Sequence, residues 1–164
     1  MSKSTKFEIE LNVDGEVIEV SIRSHHLLVD VLRNECGRVC VKEGCESASC
    51  GACTVLIDGT PRLSCITLAV DAVGTDICTV ESLSPPAGPL HSLQASFIEN
   101  HAIQCGFCTP GMLLSASALL QAKSNPTADE IKEAICGNIC RCTGYVRIIQ
   151  SIDAAAKAIH RSSP

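Results

Sequence analysis

Two sets of four cysteines constrain this chain more than any other feature. The first set is Cys45, Cys50, Cys53 and Cys65, and the second is Cys105, Cys108, Cys140 and Cys142. The first set reads Cys45-Glu-Ser-Ala-Ser-Cys50-Gly-Ala-Cys53, with Cys65 following beyond a short intervening stretch. That is the C-x4-C-x2-C…C spacing by which a loop holds a [2Fe–2S] cluster through four thiolates. The second set is two close pairs, Cys105-Gly-Phe-Cys108 and Cys140-Arg-Cys142, and needs its own account.

Composition favours an intracellular redox protein over a secreted, disulfide-stapled one. The chain has 164 residues, enough for one or two small domains, and is 46% hydrophobic but only 2% aromatic. Its cores must therefore come from Ala, Val, Leu and Ile, and bound clusters would help to hold domains so lightly built. Met1 to Phe7 contains neither an apolar h-region nor a twin arginine, so export by its own signal is not expected and the expected location is cytoplasmic. No run of apolar residues is long enough to span a bilayer. A formal net charge of −5, without a cluster of Lys and Arg, argues against nucleic acid and anionic membrane surfaces as partners. Twelve cysteines satisfy disulfide arithmetic, but two apolar cores and no signal peptide weigh against a disulfide scaffold.

Periodicity places these cysteines on a map. Phe7, Ile9 and Leu11 alternate with Glu8 and Glu10, and Val17 to Ile22 repeats the pattern after Asp14-Gly15, which predicts a β-hairpin. Leu27 to Arg33 has helical apolar spacing and leads into the first cysteine loop. Thr54 to Ile57, the Asp58-Gly59 turn and Arg62 to Ser64 predict a second hairpin, with Asp76 to Val80 as a late strand. Strand, strand, helix, cysteine loop and strands is a β-grasp order. The run Ser84-Pro85-Pro86-Ala87-Gly88-Pro89 then interrupts regular structure, so the expected domains are 1–83 and 90–164 with 84–89 as linker. Four helices are expected beyond it. They run from Leu90 to Asn100, from Pro110 to Lys123 with Thr109 as N-cap, from Thr127 with Glu130 completing a capping box, and from Tyr145 to His160. The fold class is therefore α+β, with a plant-type ferredoxin-like β-grasp domain ahead of a four-helix bundle.

On this map Cys105 and Cys108 precede the second bundle helix, and Cys140 and Cys142 precede the fourth, so both pairs can meet at one end of the bundle. Helix starts offer unpaired N–H groups and positive dipole ends, which favour thiolates and an anionic cluster. Structural zinc is the competing reading of four cysteines in two pairs, although C-x-C is an unusual zinc spacing. In the first loop, Gly51 lets the backbone approach the cluster, where its N–H can bond a sulfur and raise the potential. Phe107 and Thr109 flank the second set, and Phe107 is read as packing.

Four blocks in order, Val41-Lys-Glu-Gly-Cys45, Cys50-Gly-Ala-Cys-Thr-Val55, Gln104-Cys-Gly-Phe-Cys-Thr-Pro-Gly-Met112 and Gly137-Asn-Ile-Cys-Arg-Cys-Thr-Gly-Tyr145, cover nearly the whole chain. Together they resemble the small iron–sulfur subunit of the molybdenum hydroxylases, the family of xanthine dehydrogenases, aldehyde oxidoreductases, molybdenum CO dehydrogenase and 4-hydroxybenzoyl-CoA reductase. The resemblance implies a second [2Fe–2S] cluster on Cys105, Cys108, Cys140 and Cys142, in place of zinc. It implies no catalytic residue on this chain. Its partners would be a large subunit carrying molybdopterin, as the cytosine dinucleotide, and a medium subunit carrying FAD, in a dimer of heterotrimers. Gln104 and Cys142 would face the pterin, and electrons would pass from it through the bundle cluster and the β-grasp cluster to FAD, or the reverse in a reductase. A free-standing two-cluster ferredoxin is the alternative, and substrate choice would belong to the large subunit.

The remaining titratable residues have plainer readings. Cys36, Cys40, Cys78 and Cys136 are expected to be small buried apolar residues. His25, His26, His91, His101 and His160 lack metal spacing and are expected at or near the surface. Asp129, Glu130 and Glu133 suit the dipole of a solvated helix start.

Overall fold

The computed structural model describes residues 5–162, with side chains to Ile159. The opening residues of the leader reading, Met1 to Ser4, and the His160 side chain lie outside the described residues. The first alternating segments pair antiparallel as β1 (Phe7–Val13) and β2 (Glu16–Ile22). Asp14 and Gly15 between them take φ of 56° and 80°, the positive values that a two-residue hairpin of matching twist demands. Leu11, Val13, Val20 and Ile22 turn to one face and are buried against Leu28, Val31 and Leu32 of α1 (Leu28–Asn34).

The second hairpin is β3 (Thr54–Ile57) and β4 (Thr60–Leu63), turning at Asp58-Gly59 with φ of 48° and 75°. β4 therefore begins two residues earlier than the pattern suggests, because Ile57 pairs with Thr60 directly across the tight turn. β5 (Asp76–Cys78) enters the centre of the sheet, parallel to β1 and antiparallel to β3, which gives the order β2-β1-β5-β3-β4. The strand stops before Thr79 because Asp14 claims that residue. Its carboxylate accepts the Thr79 N–H at 2.6 Å and the Thr79 hydroxyl at 2.9 Å. The Thr79 side chain in turn caps a 3-10 turn over Val80–Leu83.

Val80 and Leu83 pack against a second core built by four helices, α2 (Ser92–Glu99), α3 (Thr109–Ala122), α4 (Ala128–Ile135) and α5 (Val146–Ser162). Leu93, Phe97, Met112, Ile131, Ile148 and Ile152 are its largest fully buried members. The Thr127 capping box forms as expected, with Thr127 Oγ1 accepting the Glu130 N–H at 3.3 Å and Glu130 Oε2 accepting the Thr127 N–H at 2.7 Å. α2 starts later than Leu90 because its cap is His91, whose Nδ1 accepts the Leu93 N–H at 3.2 Å while Gln94 accepts the His91 N–H at 3.0 Å. α3 is capped by Cys108 rather than Thr109, so its helix starts one residue earlier. α5 starts after Tyr145, whose φ of 68° is incompatible with a helix. Among the described residues no helix is long and apolar enough to cross a membrane.

The two cores meet where α3 lies across β3 and β4. Glycines make that approach possible. A Cβ on Gly111 of α3 would sit 2.4 Å from the Gly51 carbonyl oxygen, so only a hydrogen lets the helix settle on the cysteine loop.

Candidate iron–sulfur sites

The first cysteine loop curls because Glu46, Ala48 and Gly51 all take positive φ, 52°, 60° and 70°. Such alternation turns successive N–H groups inward to make an anion-holding concavity of the kind found at phosphate and Fe–S sites. Ser49 N–H donates to Cys45 Sγ at 3.3 Å. The Cys45 thiol is pulled down to about 6, first by the backbone N–H of Ser47, then by its hydroxyl, by Cys50 and by Ser49. Arg33 anchors the preceding segment to α1 by donating to the Val41 carbonyl at 2.6 Å.

The four thiols of this set fall into two facing pairs. Cys45 faces Cys50, and Cys53 faces Cys65 at the start of the turn after β4. Burial above all, with the facing Cys65 thiol, pushes Cys53 up to about 11. The second set repeats the arrangement. Cys142 Sγ lies 3.6 Å from Cys105 Sγ, and Cys108 faces Cys140. Burial, then the Cys140 thiol, pushes Cys108 up to about 12. At Cys140 burial works upward, but the hydroxyl of Thr143, 3.1 Å from the sulfur, and the backbone N–H groups of Thr143 and Cys142 carry the net shift downward.

Cys53 and Cys108 hold their protons because burial disfavours the thiolate and the facing thiol adds to it, whereas hydrogen bonds shift Cys45 and Cys140 the other way. A bound metal ion inverts the balance, since a coordinating thiol is deprotonated outright. Pairs are also the right unit for a two-iron centre, in which each iron takes two thiolates, whereas tetrahedral zinc draws four ligands to one point. The donor set thus fits [2Fe–2S] chemistry at both places.

All four thiols of the second set line one apolar hollow of about 250 Å³, together with Gly44, Cys50 and Ala52 of the first loop. Phe107 lines it too, and a Cβ on Gly44 would meet the Phe107 ring at 3.2 Å and Cys50 Sγ at 3.2 Å. Half-exposed, Phe107 is less a core residue than a bridge between the loops. Two further contacts join them. The Ile139 N–H donates to the Cys50 carbonyl at 2.8 Å, and Asn138 Nδ2 donates to the Gly51 carbonyl at 2.9 Å. Gly51 therefore makes room for the other half of the molecule, since a Cβ there would lie 2.2 Å from the Gly137 oxygen. The backbone N–H groups that lower thiols in this loop include those of Cys45, Ser47, Ser49 and Ala52.

Gln104 is exposed beside Cys105, and Cys105 and Cys142 are the exposed members of the second set. Exposed Ile139 lines the same hollow as these two thiols. Cys36 is buried, and Cys40 and Cys78 are half-buried, Cys40 within 3.5 Å of the Thr79 hydroxyl. Cys136 is a correction, being exposed, because it caps α4 one residue past the buried Ile135. His25 and His101 are exposed and His26 and His91 half-buried, in line with their expected positions. Asn138 and Tyr145 carry roles the sequence did not reveal. The Tyr145 hydroxyl accepts the Cys140 N–H at 2.7 Å and donates to the Asn138 carbonyl at 3.2 Å, tying the second cysteine pair to its own loop.

Comparison with known proteins agrees with this geometry. Residues 5–88 match the 2Fe-2S iron-sulfur cluster binding domain family and residues 79–153 the [2Fe-2S] binding domain family. Fold and donor pairs thus define an iron–sulfur protein of the [2Fe–2S] class. The nicotine 6-hydroxylase small subunit of Paenarthrobacter nicotinovorans is 46% identical over 151 residues, 92% of this chain and 90% of that protein. The nicotinate dehydrogenase small FeS subunit of Eubacterium barkeri is 43% identical over 152 residues, 93% and 96% of the two chains. In quinoline 2-oxidoreductase from Pseudomonas putida 86, a chain 44% identical superposes with a TM-score of 0.91 over 98% of this chain and 100% of that one. The aldehyde oxidoreductase of Desulfovibrio gigas superposes at a TM-score of 0.89 and 35% identity, over 96% of this chain but only 18% of that longer one. The chain belongs to the small iron–sulfur subunits of the molybdenum hydroxylases.

Proposed function

We propose that this chain is the electron conduit of a molybdenum-containing hydroxylase or dehydrogenase, with Cys45, Cys50, Cys53 and Cys65 holding one [2Fe–2S] cluster and Cys105, Cys108, Cys140 and Cys142 the other. We read the sheet and α1 as a β-grasp unit, the four later helices as a bundle, and residues 84–89 as their join. The observation that carries the assignment is the pairing of thiols in both sets, with the second set opening at the surface through Cys105 and Cys142. When bound, each cluster supplies one-electron transfer.

The residues themselves do the positioning. Ser47, Ser49 and Ala52 direct N–H groups at the first thiols, and Thr143 directs its hydroxyl at Cys140. Gln104 and Cys142 are exposed, and exposed Ile139 lines the same apolar hollow as Cys142, a surface suited to docking a large subunit. We assign that face to the molybdopterin side, with the pterin as the cytosine dinucleotide. The first loop would then face a medium subunit carrying FAD, in a cytoplasmic dimer of heterotrimers. Substrate selection belongs to the large subunit, and no residue of this chain is assigned to it.

Purification of the native complex tests the reading. A large molybdenum-containing chain and a flavin-containing chain should co-purify, with about four iron per copy of this chain. A monomer that carries iron without either partner would instead be a free-standing carrier.

A further inference from the structure

Asn138 is a buried polar side chain with three hydrogen bonds, two of which reach across to the first half of the chain. It is 3% exposed, on the loop between α4 and Cys140. Its Nδ2 donates to the Gly51 carbonyl at 2.9 Å and to Thr54 Oγ1 at 3.3 Å, and its Oδ1 accepts the Ser115 hydroxyl at 2.7 Å. One amide therefore joins the first cysteine loop, the start of β3 and the middle of α3.

The Gly51 carbonyl does not need Asn138 to be satisfied. It already accepts the Thr54 hydroxyl at 2.7 Å and the Thr54 N–H at 3.2 Å. A buried amide kept where its main acceptor has other donors serves to locate one loop against the other. What it locates is the neighbouring contact, in which the Ile139 N–H meets the Cys50 carbonyl at 2.8 Å. Through that bond Cys50 and Cys140, a thiol of each set, are linked by their own backbones and one hydrogen bond. The Gly51, Gly111 and Gly137 contacts leave the loops no slack except to move apart.

We propose that Asn138 is the positioning residue for electron passage between the two cysteine sets. This rests on the two-cluster reading above. In the step, one electron leaves a reduced cluster on the second set and enters an oxidised cluster on the first, with no bond or proton moved. The electron comes from the reduced partner subunit, or from dithionite in vitro. Electronic coupling falls exponentially with separation, so a small drift of the loops slows passage without removing either cluster.

The test uses the assembled complex with Asn138→Leu, which keeps bulk and removes all three bonds, and with Asn138→Asp and Ser115→Ala. Three readouts are iron content, the dipolar splitting of the EPR signals when both clusters are reduced, and the rate at which the first-set signal appears after rapid mixing with reductant. Full iron, narrowed splitting and a several-fold slower appearance are expected for Asn138→Leu, with Ser115→Ala intermediate. Full iron with unchanged splitting and rate overturns the proposal. If Asn138→Leu loses iron, the same criteria apply to Asn138→Asp and Ser115→Ala. A wild-type complex with only one [2Fe–2S] signal overturns the two-cluster reading itself, and the proposal with it.

Discussion

Gly51→Ala should pry apart the two halves of this protein, and the cost can be built from its surroundings. An added Cβ would lie 2.2 Å from the Gly137 oxygen, 2.7 Å from Asn138 Nδ2 and 2.9 Å from Asn138 Cα. An ordinary carbon–oxygen approach is about 3.3 Å, so the Gly137 carbonyl must retreat by about 1 Å. All three obstacles belong to a neighbouring loop whose backbone is tied to the Ile135 and Tyr145 partners, so the whole loop has to move. The φ of 70° adds about 1–2 kcal/mol for alanine, overpacking about 1–3, and loss of the Asn138 bond about 1, roughly 3–6 kcal/mol together. At about 2–4 °C per kcal/mol for a chain of this length, the holoprotein should melt roughly 6–24 °C lower. Gly59→Ala provides the control, because Gly59 has φ of 75° with nothing within 4 Å of its would-be Cβ. It should show only the conformational part, about 1–2 kcal/mol. The assay is thermal unfolding of both purified holoproteins, followed by circular dichroism and by cluster absorbance. Equal melting temperatures for the two variants would refute the close approach of Gly51 to Gly137 as the reason for glycine.

Other expectations follow from individual contacts. Cys40→Ser should leave both [2Fe–2S] signals and full iron, since Cys40 hydrogen-bonds the Thr79 hydroxyl; loss of one signal would overturn the ligand assignment. Thr127→Ala removes the α4 cap and should cost about 1 kcal/mol by denaturant titration, with the cluster spectra unchanged. His91 must be neutral to accept the Leu93 N–H, and burial holds its pKa below the usual 6.5. Its cap is therefore in full force above pH 6.5 and is lost as pH falls below that through the folded-state value. His91→Asn, which accepts at every pH, should gain on the wild type in melting temperature between pH 7 and 5, and parallel curves would contradict the assignment.

The local elements were legible because their signals are local. Alternation and Asp-Gly turns specify the hairpins, Thr127 and Glu130 specify the start of α4, and cysteine spacing picks out the thiols that stand in facing pairs. One error sits where a distant partner competes. Thr79 leaves the strand because Asp14, far away in sequence, captures it. Cys136 is exposed for a local reason, its place at the end of α4, although its residue type suggested burial. His91 as a cap carries only a weak signal, because imidazole accepts a backbone N–H only in one neutral tautomer.

The chain's sequence alone determined that two sets of four thiols exist, that each set lies in a loop between predictable elements, and which family the motif blocks resemble. Tertiary structure decided how the sets stand to each other. Gly51, Gly111 and Gly137 meet, Asn138 spans 87 residues to reach Gly51, and the Ile139 N–H finds the Cys50 carbonyl only because α3 docks on β3. Periodicity and capping arise within a few residues and leave a pattern to read. The fit of one loop against another is the sum of packing across two cores, and no stretch of sequence contains it.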